Sequence, residues 1–156
     1  MTSLKTKVDD FLSQERIAVA GVSRTVDDAA NLIYRKLKDA GYTVYPVNPN
    51  TNEFDGDACY PDVKAINGGV DGVVIGTHPD VTPKIVQDCI DAGITRVWMH
   101  RSFVGSSVED DAVQLAKDHH INVIDGGCPM MFVEPVDFGH KCMRFFTRIA
   151  GKMPQS

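Results

Sequence analysis

Short apolar runs alternate with amphipathic segments along the chain. Strands buried in a parallel sheet are apolar on both faces and give continuous apolar runs, whereas helices covering a sheet repeat apolar residues every three or four positions. Five apolar runs predict strands at residues 16–21, 43–48, 71–76, 95–99 and 121–125. The amphipathic segments predict helices at residues 3–14, 27–40, 83–93, after Ser107, and 137–150, with a short helix near 62–66.

This alternation is typical of a doubly wound α/β fold. It predicts a Rossmann-like, three-layer domain with a five-stranded parallel sheet, right-handed crossovers and flanking helices, and we expect the strand order 3-2-1-4-5. No linker or low-complexity segment interrupts the pattern, so residues 1–156 are expected to form a single domain. Asp27 or Asp28 is expected to cap the second helix, and Ser107 with Asp110 to form a capping box before the fourth.

Composition narrows the class of protein. The chain has 156 residues, of which 43% are hydrophobic and 24% charged, as in soluble globular proteins. No apolar run approaches the roughly 20 residues of a membrane helix, and the N-terminus does not resemble a signal peptide. We therefore expect a cytoplasmic protein without membrane contact. A net charge of −5 argues against general nucleic-acid binding.

Candidate ligand residues follow the predicted strands, because ligands of open parallel sheets bind outside the carboxyl ends of the strands. Five short segments occupy these positions. They are Gly21, Val22, Ser23 and Arg24; Val47, Asn48, Pro49 and Asn50; Thr77, His78 and Pro79; Met99, His100, Arg101 and Ser102; and Gly126, Gly127, Cys128 and Pro129.

The first segment resembles a phosphate loop without the usual three glycines. Gly21 stands alone, and Ser23 and Val26 occupy the positions of the other two in a GxGxxG fingerprint. Backbone N–H groups at the helix start, with Ser23 and Arg24, are suitable donors to phosphate. Asp27 and Asp28 oppose an anion at the same helix start, and a solvated turn is the alternative interpretation.

The second segment lacks the carboxylate that commonly holds the ribose hydroxyls of NAD. The strand ends in Val47, Asn48, Pro49 and Asn50, and Glu53 follows only within the loop. Without that acid, the site admits a ribose that bears an extra phosphate. Asn-Pro-Asn is also simply a good turn sequence.

Several segments in order resemble a known family. IAVAGVSR, a helix ending in DAGY, TVYPVNPN, VDGVVIGTHP, AGITRVWMH and INVIDGGCP resemble the small bacterial CoA-binding proteins. These are similar to the N-terminal CoA-binding domain of the succinyl-CoA synthetase alpha subunit. The resemblance covers about residues 12 to 130, and the ending DFGHKCMRFF…GKMP is similar to a C-terminal extension in one branch of the family.

The resemblance implies that coenzyme A lies over the strand ends of a Rossmann-like domain. Gly21, Ser23 and Arg24 match the phosphate-contacting loop, and the segments at Val47–Pro49, Thr77–Pro79 and Cys128–Pro129 match other loops of that edge. Many relatives have glutamine and glycine where this chain has His100, Arg101 and Ser102. The phosphorylated histidine of the synthetase belongs to a second domain, so the resemblance implies a non-catalytic CoA- or acyl-CoA-binding protein, a sensor or carrier.

Two alternatives stay open at this point. One is an NAD(P)-binding or thiol-redox protein that uses Cys128, with His100 and His140 as neighbouring imidazoles. The other concerns the last helix, where Lys141, Arg144 and Arg148 form either a solvated face or a partner surface.

No metal site is predicted. Cys128, His140 and Cys142 are the nearest candidates, but residues two apart on a helix do not share a face, and no fourth ligand is evident. The protein is expected to be a monomer or homodimer, and exposure of Met130, Met131 and Phe132 would favour the homodimer.

Overall fold

The computed structural model describes residues 2–25, 28–102, 105–136 and 138–149. Seven strands occur in these ranges: β1 (Arg16–Ala20), β2 (Thr43–Val47), β3 (Glu53–Phe54), β4 (Asp57–Ala58), β5 (Gly72–Ile75), β6 (Arg96–Met99) and β7 (Asn122–Asp125). The helices are α1 (Leu4–Leu12), α2 (Ala29–Asp39), α3 (Thr82–Asp91), α4 (Asp110–Asp118) and α5 (Phe138–Ile149). All five strands predicted from the sequence are present, and all pair in parallel.

The order of the central sheet is β2-β1-β5-β6-β7, which corrects the predicted order 3-2-1-4-5. The third predicted strand, β5, pairs with β1, and β2 is the edge strand. Pro46 explains why: proline has no N–H to give to a second neighbour, so it is tolerated in an edge strand and not in a central one. Following the chain, β2 is added on one side of β1, whereas β5, β6 and β7 are added on the other side. The order of strands therefore reverses between β1 and β5.

Two apolar layers cover the sheet. Alternate strand residues such as Val19, Val74 and Trp98 pack on the face covered by α1 and α2. The intervening residues, including Ala18 and Met99, pack on the face covered by α3 and α4. No helix among the described residues is long and apolar enough to cross a membrane.

The start of α4 differs from the predicted capping box. Glu109 caps the helix, and its carboxylate accepts hydrogen bonds from the backbone N–H groups of Asp111 at 3.2 Å and Ala112 at 2.7 Å. Ser107 is buried and donates instead to the carbonyl of Thr77. Thr82 Oγ1 donates to the Ser107 carbonyl at 2.6 Å, so this segment joins the loop after β5 to α3.

A small hairpin, β3–β4, lies between β2 and β5, where the sequence predicts only a short helix near residues 62–66. Asp55 and Gly56 form its tip with φ values of 49° and 82°, the left-handed conformations that a two-residue Asp-Gly turn requires. The hairpin is anchored to α2, because Tyr34 and Lys38 both donate to the carboxylate of Asp57.

The C-terminal segment packs differently from its predicted pattern. The helical spacing of Cys142, Phe145 and Ile149 predicts that Phe145 lies on an apolar face of α5, but this side chain is 60% exposed. Met131 is fully buried, and Phe132 packs on Trp98 with ring centroids 5.8 Å apart. The patch that would have favoured a homodimer is therefore largely part of the core. Asp137, Ala150 and the side chain of Arg148 lie outside the described residues.

Candidate functional site

An apolar cleft of about 350 Å³ lies at the carboxyl ends of β1, β2 and β5, beside α3. Three of the five predicted segments meet there. Their members that line the cleft are Gly21, Val22, Ser23, Val47, Asn48, Pro49, Asn50, Thr77 and His78. The cleft thus lies at the reversal of strand order, the usual ligand position in such sheets.

The cleft is mainly apolar beside the strand ends, and a buried hydroxyl there has no partner within the described part of the chain. Val63, Val81 and Ile85 line it beside the strand ends. The hydroxyl oxygen of Thr77 is buried and has no hydrogen-bond partner among the described residues. A buried hydroxyl without a partner costs free energy.

A charged cluster from α3 also reaches the cleft. Asp88 is buried, and its carboxylate lies 2.8 Å from Lys84 Nζ and 3.4 Å from Lys64 Nζ. The hydrogen bond to Asp88 raises the pKa of Lys84 above its ordinary value. Lys84 was not predicted as a site residue, although its spacing of four from Asp88 on the helix after the third strand was a signal.

Asn31 organises the loop between β1 and α2. Its side chain is buried, and its Oδ1 accepts from the Ser23 N–H at 2.8 Å. Its Nδ2 donates to the carbonyls of Ser23 at 2.8 Å and Thr25 at 2.6 Å. The backbone on both sides of Arg24 is therefore fixed by one amide group, while Arg24 itself is exposed.

The hydroxyl of Ser23 already has partners within the protein. It donates to the carboxylate of Asp28 and accepts from the Thr25 N–H at 3.2 Å. Asp28 precedes α2 but makes no side-chain capping bond, so the expected cap is replaced by this contact; Asp27 lies outside the described residues. The Ser23 hydroxyl would have to break its hydrogen bond to Asp28 before it could donate to a phosphate. Donation by Arg24 does not require that bond to break.

Asn48 ties the loop after β2 to the loop after β1. Its Nδ2 donates to the carbonyl of Val22 at 2.6 Å, and its Oδ1 accepts from the Asn50 N–H at 2.7 Å. The sequence predicted Asn48 beside a nucleotide. The structure shows that Asn48 connects the loops that follow β1 and β2.

A second, more polar cavity adjoins the cleft between α2 and the β3–β4 hairpin. We call this cavity of about 600 Å³ the basin; it shares Ser23, Asn48 and Asn50 with the cleft. Its remaining lining residues are Arg24, Asn31, Arg35, Thr51, Glu53, Phe54 and Asp55. Arg35 and the hairpin were missed at the sequence level, although the Asp55-Gly56 pair was a hairpin signal.

The other predicted site residues lie apart from the cleft lining. Pro79 opens a short 3₁₀ helix after β5, and Met99 is buried in the core. Cys128 is 3% exposed in the apolar layer that contains Trp98 and Met131, and Pro129 is also buried.

His100 is 5% exposed after β6, and burial together with the nearby His140 lowers its pKa to about 4. It is therefore a neutral imidazole at pH 7. Helix α5, which carries His140, is held against the loop after β7 by Arg144, whose Nη1 donates to the Met131 carbonyl at 3.1 Å. No group of three or more potential metal ligands occurs among the described residues.

Comparison with known proteins identifies a family model and several similar proteins. Residues 15–134 match the family model described as "CoA binding domain". The ADP-forming acetate–CoA ligase of Methanocaldococcus jannaschii is 29% identical over 116 residues, which are 72% of this chain and 16% of that enzyme. YneT of Bacillus subtilis, an uncharacterized protein, is 26% identical over 125 residues, covering 80% of this chain and 90% of YneT.

Solved structures of similar proteins have the same fold. A hypothetical protein from Pyrococcus horikoshii OT3 is 28% identical and superimposes with a TM-score of 0.76, covering 83% of this chain and 89% of that one. The chain spans about a sixth of the acetate–CoA ligase but most of the small relatives.

Proposed function

The chain belongs to the family of CoA binding domains, and from that premise we propose that it binds coenzyme A at the carboxyl edge of its sheet. The observation that carries the proposal is the junction of an apolar cleft with a polar basin beside Arg24. Coenzyme A has the same two-part character, because a long pantetheine arm is joined to a highly charged phosphorylated nucleotide.

The chemistry of each cavity supports this orientation. The cleft offers apolar side chains together with the amides of Asn48 and Asn50, which suit a chain of methylene groups interrupted by amides. The basin offers two arginines and several side-chain amides, which suit phosphate and adenosine. The pyrophosphate then lies at the β1–α2 loop, within reach of Arg24.

The proposed role is that of a binding module, a sensor or carrier of CoA or acyl-CoA. It is supported by the intramolecular contacts of ionisable side chains that line the cleft. Lys84 forms an ion pair with Asp88, and His78 Nδ1 accepts a hydrogen bond from the Asp80 N–H at 3.3 Å. The ligase activity of the longer relatives is not carried over, since this chain matches 16% of such an enzyme.

Calorimetric titration with CoA, acetyl-CoA, NAD and NADP tests the proposal. We expect CoA to bind more tightly than either dinucleotide. Arg24→Ala should weaken CoA binding about tenfold, the lower end of what a charge-assisted hydrogen bond contributes, because Arg24 is exposed. Lys117→Ala, which removes an exposed positive charge on α4, is the control and should leave the affinity unchanged. A preference for NAD, or no binding of any of these ligands, would refute the proposal.

A further inference from the structure

Arg35 lines the basin from α2 and is held in a fixed orientation. Its Nε lies 2.7 Å from Asp55 Oδ2, and its Nη2 lies 3.2 Å from Asp55 Oδ1. Its guanidinium carbon is also 5.6 Å from the ring centroid of Phe54. A two-point ion pair combined with stacking on an aromatic ring limits the rotation of the guanidinium.

Asp55 reaches Arg35 from the tip of the β3–β4 hairpin. The hydrogen bond from Arg35 lowers the pKa of Asp55, so the carboxylate is ionised at neutral pH. Its negative charge therefore offsets that of Arg35. A ligand anion that binds Arg35 must share the guanidinium with Asp55 or displace it.

The position of Arg35 in the basin places it near the ribose of a nucleotide bound in the proposed orientation. The basin joins the cleft at Ser23 and Asn48, next to Arg24. A nucleotide whose pyrophosphate lies at the β1–α2 loop extends its ribose and base into the basin, toward α2 and the hairpin. A phosphate on that ribose carries about −1.5 to −2 charges at pH 7, more than the single charge of a carboxylate.

We propose that Arg35 binds the phosphomonoester on the ribose of the bound adenine nucleotide, and that Asp55 competes with this phosphate for Arg35. The inference rests on the proposed function and adds a specificity determinant to it. Arg24 and Arg35 then serve different phosphates: Arg24 the pyrophosphate and Arg35 the ribose phosphate. The site thereby distinguishes CoA from nucleotides that lack the ribose phosphate.

Titration of CoA and dephospho-CoA against matched variants tests the inference, because the two ligands differ only in the ribose 3′-phosphate. The wild-type protein should prefer CoA. Arg35→Gln, which removes the positive charge but keeps a polar side chain, should weaken CoA binding about tenfold and leave dephospho-CoA unchanged. Asp55→Asn should strengthen CoA binding about threefold, because it removes the competing charge of an exposed pair, and should also leave dephospho-CoA unchanged.

Asp57→Asn is the matched control. It removes one negative charge from the same hairpin and breaks an ion pair with the same helix, through Lys38, but Asp57 does not line the basin. It should leave the ratio of the CoA and dephospho-CoA affinities unchanged, and thermal unfolding of each variant checks that it is folded.

Three outcomes would overturn the inference while leaving CoA binding intact. They are an equal effect of Arg35→Gln on both ligands, no effect on either, and weaker CoA binding by Asp55→Asn. If the wild-type protein binds neither CoA nor dephospho-CoA, the proposed function fails. Adenosine 3′,5′-bisphosphate then tests Arg35 separately: binding that Arg35→Gln abolishes upholds the ribose-phosphate site, and absence of binding overturns it too.

Discussion

The backbone of Gly21 lies directly against that of Gly76, at the reversal of strand order. A Cβ atom on Gly21 would lie 2.8 Å from both the carbonyl carbon and the carbonyl oxygen of Gly76. Gly21 also has a φ of +108°, a conformation that L-residues rarely adopt. The two loops that begin the cleft therefore approach more closely than any side chain would permit.

Gly21→Ala is expected to lower the free energy of unfolding by roughly 2–5 kcal/mol, because backbone strain and steric overlap add. Gly41→Ala is the control. Gly41 has a similar φ of +98° but no atom within 4 Å of an added Cβ. That substitution should cost roughly 1–2 kcal/mol from strain alone. Urea denaturation measures both, and equal losses would show that the contact with Gly76 contributes nothing.

Asn31→Ala should both destabilise the fold and weaken the binding of CoA. The buried amide makes three hydrogen bonds to the loop around Arg24, each contributing about 1 kcal/mol, so we expect a loss of roughly 2–4 kcal/mol. CoA affinity should fall as well, because Arg24 loses its fixed position. Asn122→Ala, which removes a 3.5 Å contact to Asp10 away from the site, should leave the affinity unchanged. Unaltered CoA binding by the Asn31 variant would show that the loop does not depend on this residue.

His100 should make the protein less stable in mild acid. Burial lowers its pKa to about 4 in the folded state, whereas an unfolded histidine titrates near 6.5. The unfolded chain therefore binds a proton first as the pH falls. The stability contributed by neutral His100 is complete above pH 6.5 and is lost between pH 6.5 and about 4.

The difference between these pKa values, at 1.36 kcal/mol per pKa unit, corresponds to a loss of roughly 3 kcal/mol over that window, of which roughly 2 kcal/mol falls above pH 5. Urea denaturation at pH 7 and pH 5 measures that part. His100→Gln should reduce the pH dependence, and His119→Gln, at an exposed position, should retain it. An unchanged pH dependence in His100→Gln would contradict the assignment.

The four cysteines should differ sharply in their reaction with a disulfide reagent. Burial raises the pKa of Cys89 to about 12 and raises that of Cys59, and Cys128 is 3% exposed. Cys142 is half-buried on α5. Since reaction requires a thiolate with access to the reagent, Cys142 should react first at pH 8. Cys142→Ser should remove the fast phase and Cys128→Ser should not; the opposite result would favour the thiol-redox alternative.

Local sequence patterns determined which segments form strands and helices. The predicted strand at residues 16–21 corresponds to β1 (Arg16–Ala20), and the one at 121–125 to β7 (Asn122–Asp125). These elements depend on apolar periodicity and glycine stops, which are properties of neighbouring residues. The resemblance to CoA-binding proteins is likewise confirmed by the family match, because motifs at strand ends are contiguous in sequence.

The arrangement of those elements was decided by tertiary structure. The sheet order was the exception, because Pro46, which excludes β2 from the interior, was a sequence signal that the predicted order 3-2-1-4-5 overlooked. The basin depends on Arg35 meeting Asp55, two residues 20 positions apart whose contact requires the hairpin to fold against α2. Asn31 was likewise unremarkable in sequence. Hydrogen bonds and ion pairs between separate segments have no periodicity to identify them, so the cleft residues at the strand ends were predictable from sequence and the contacts of Asn31 and Arg35 were not.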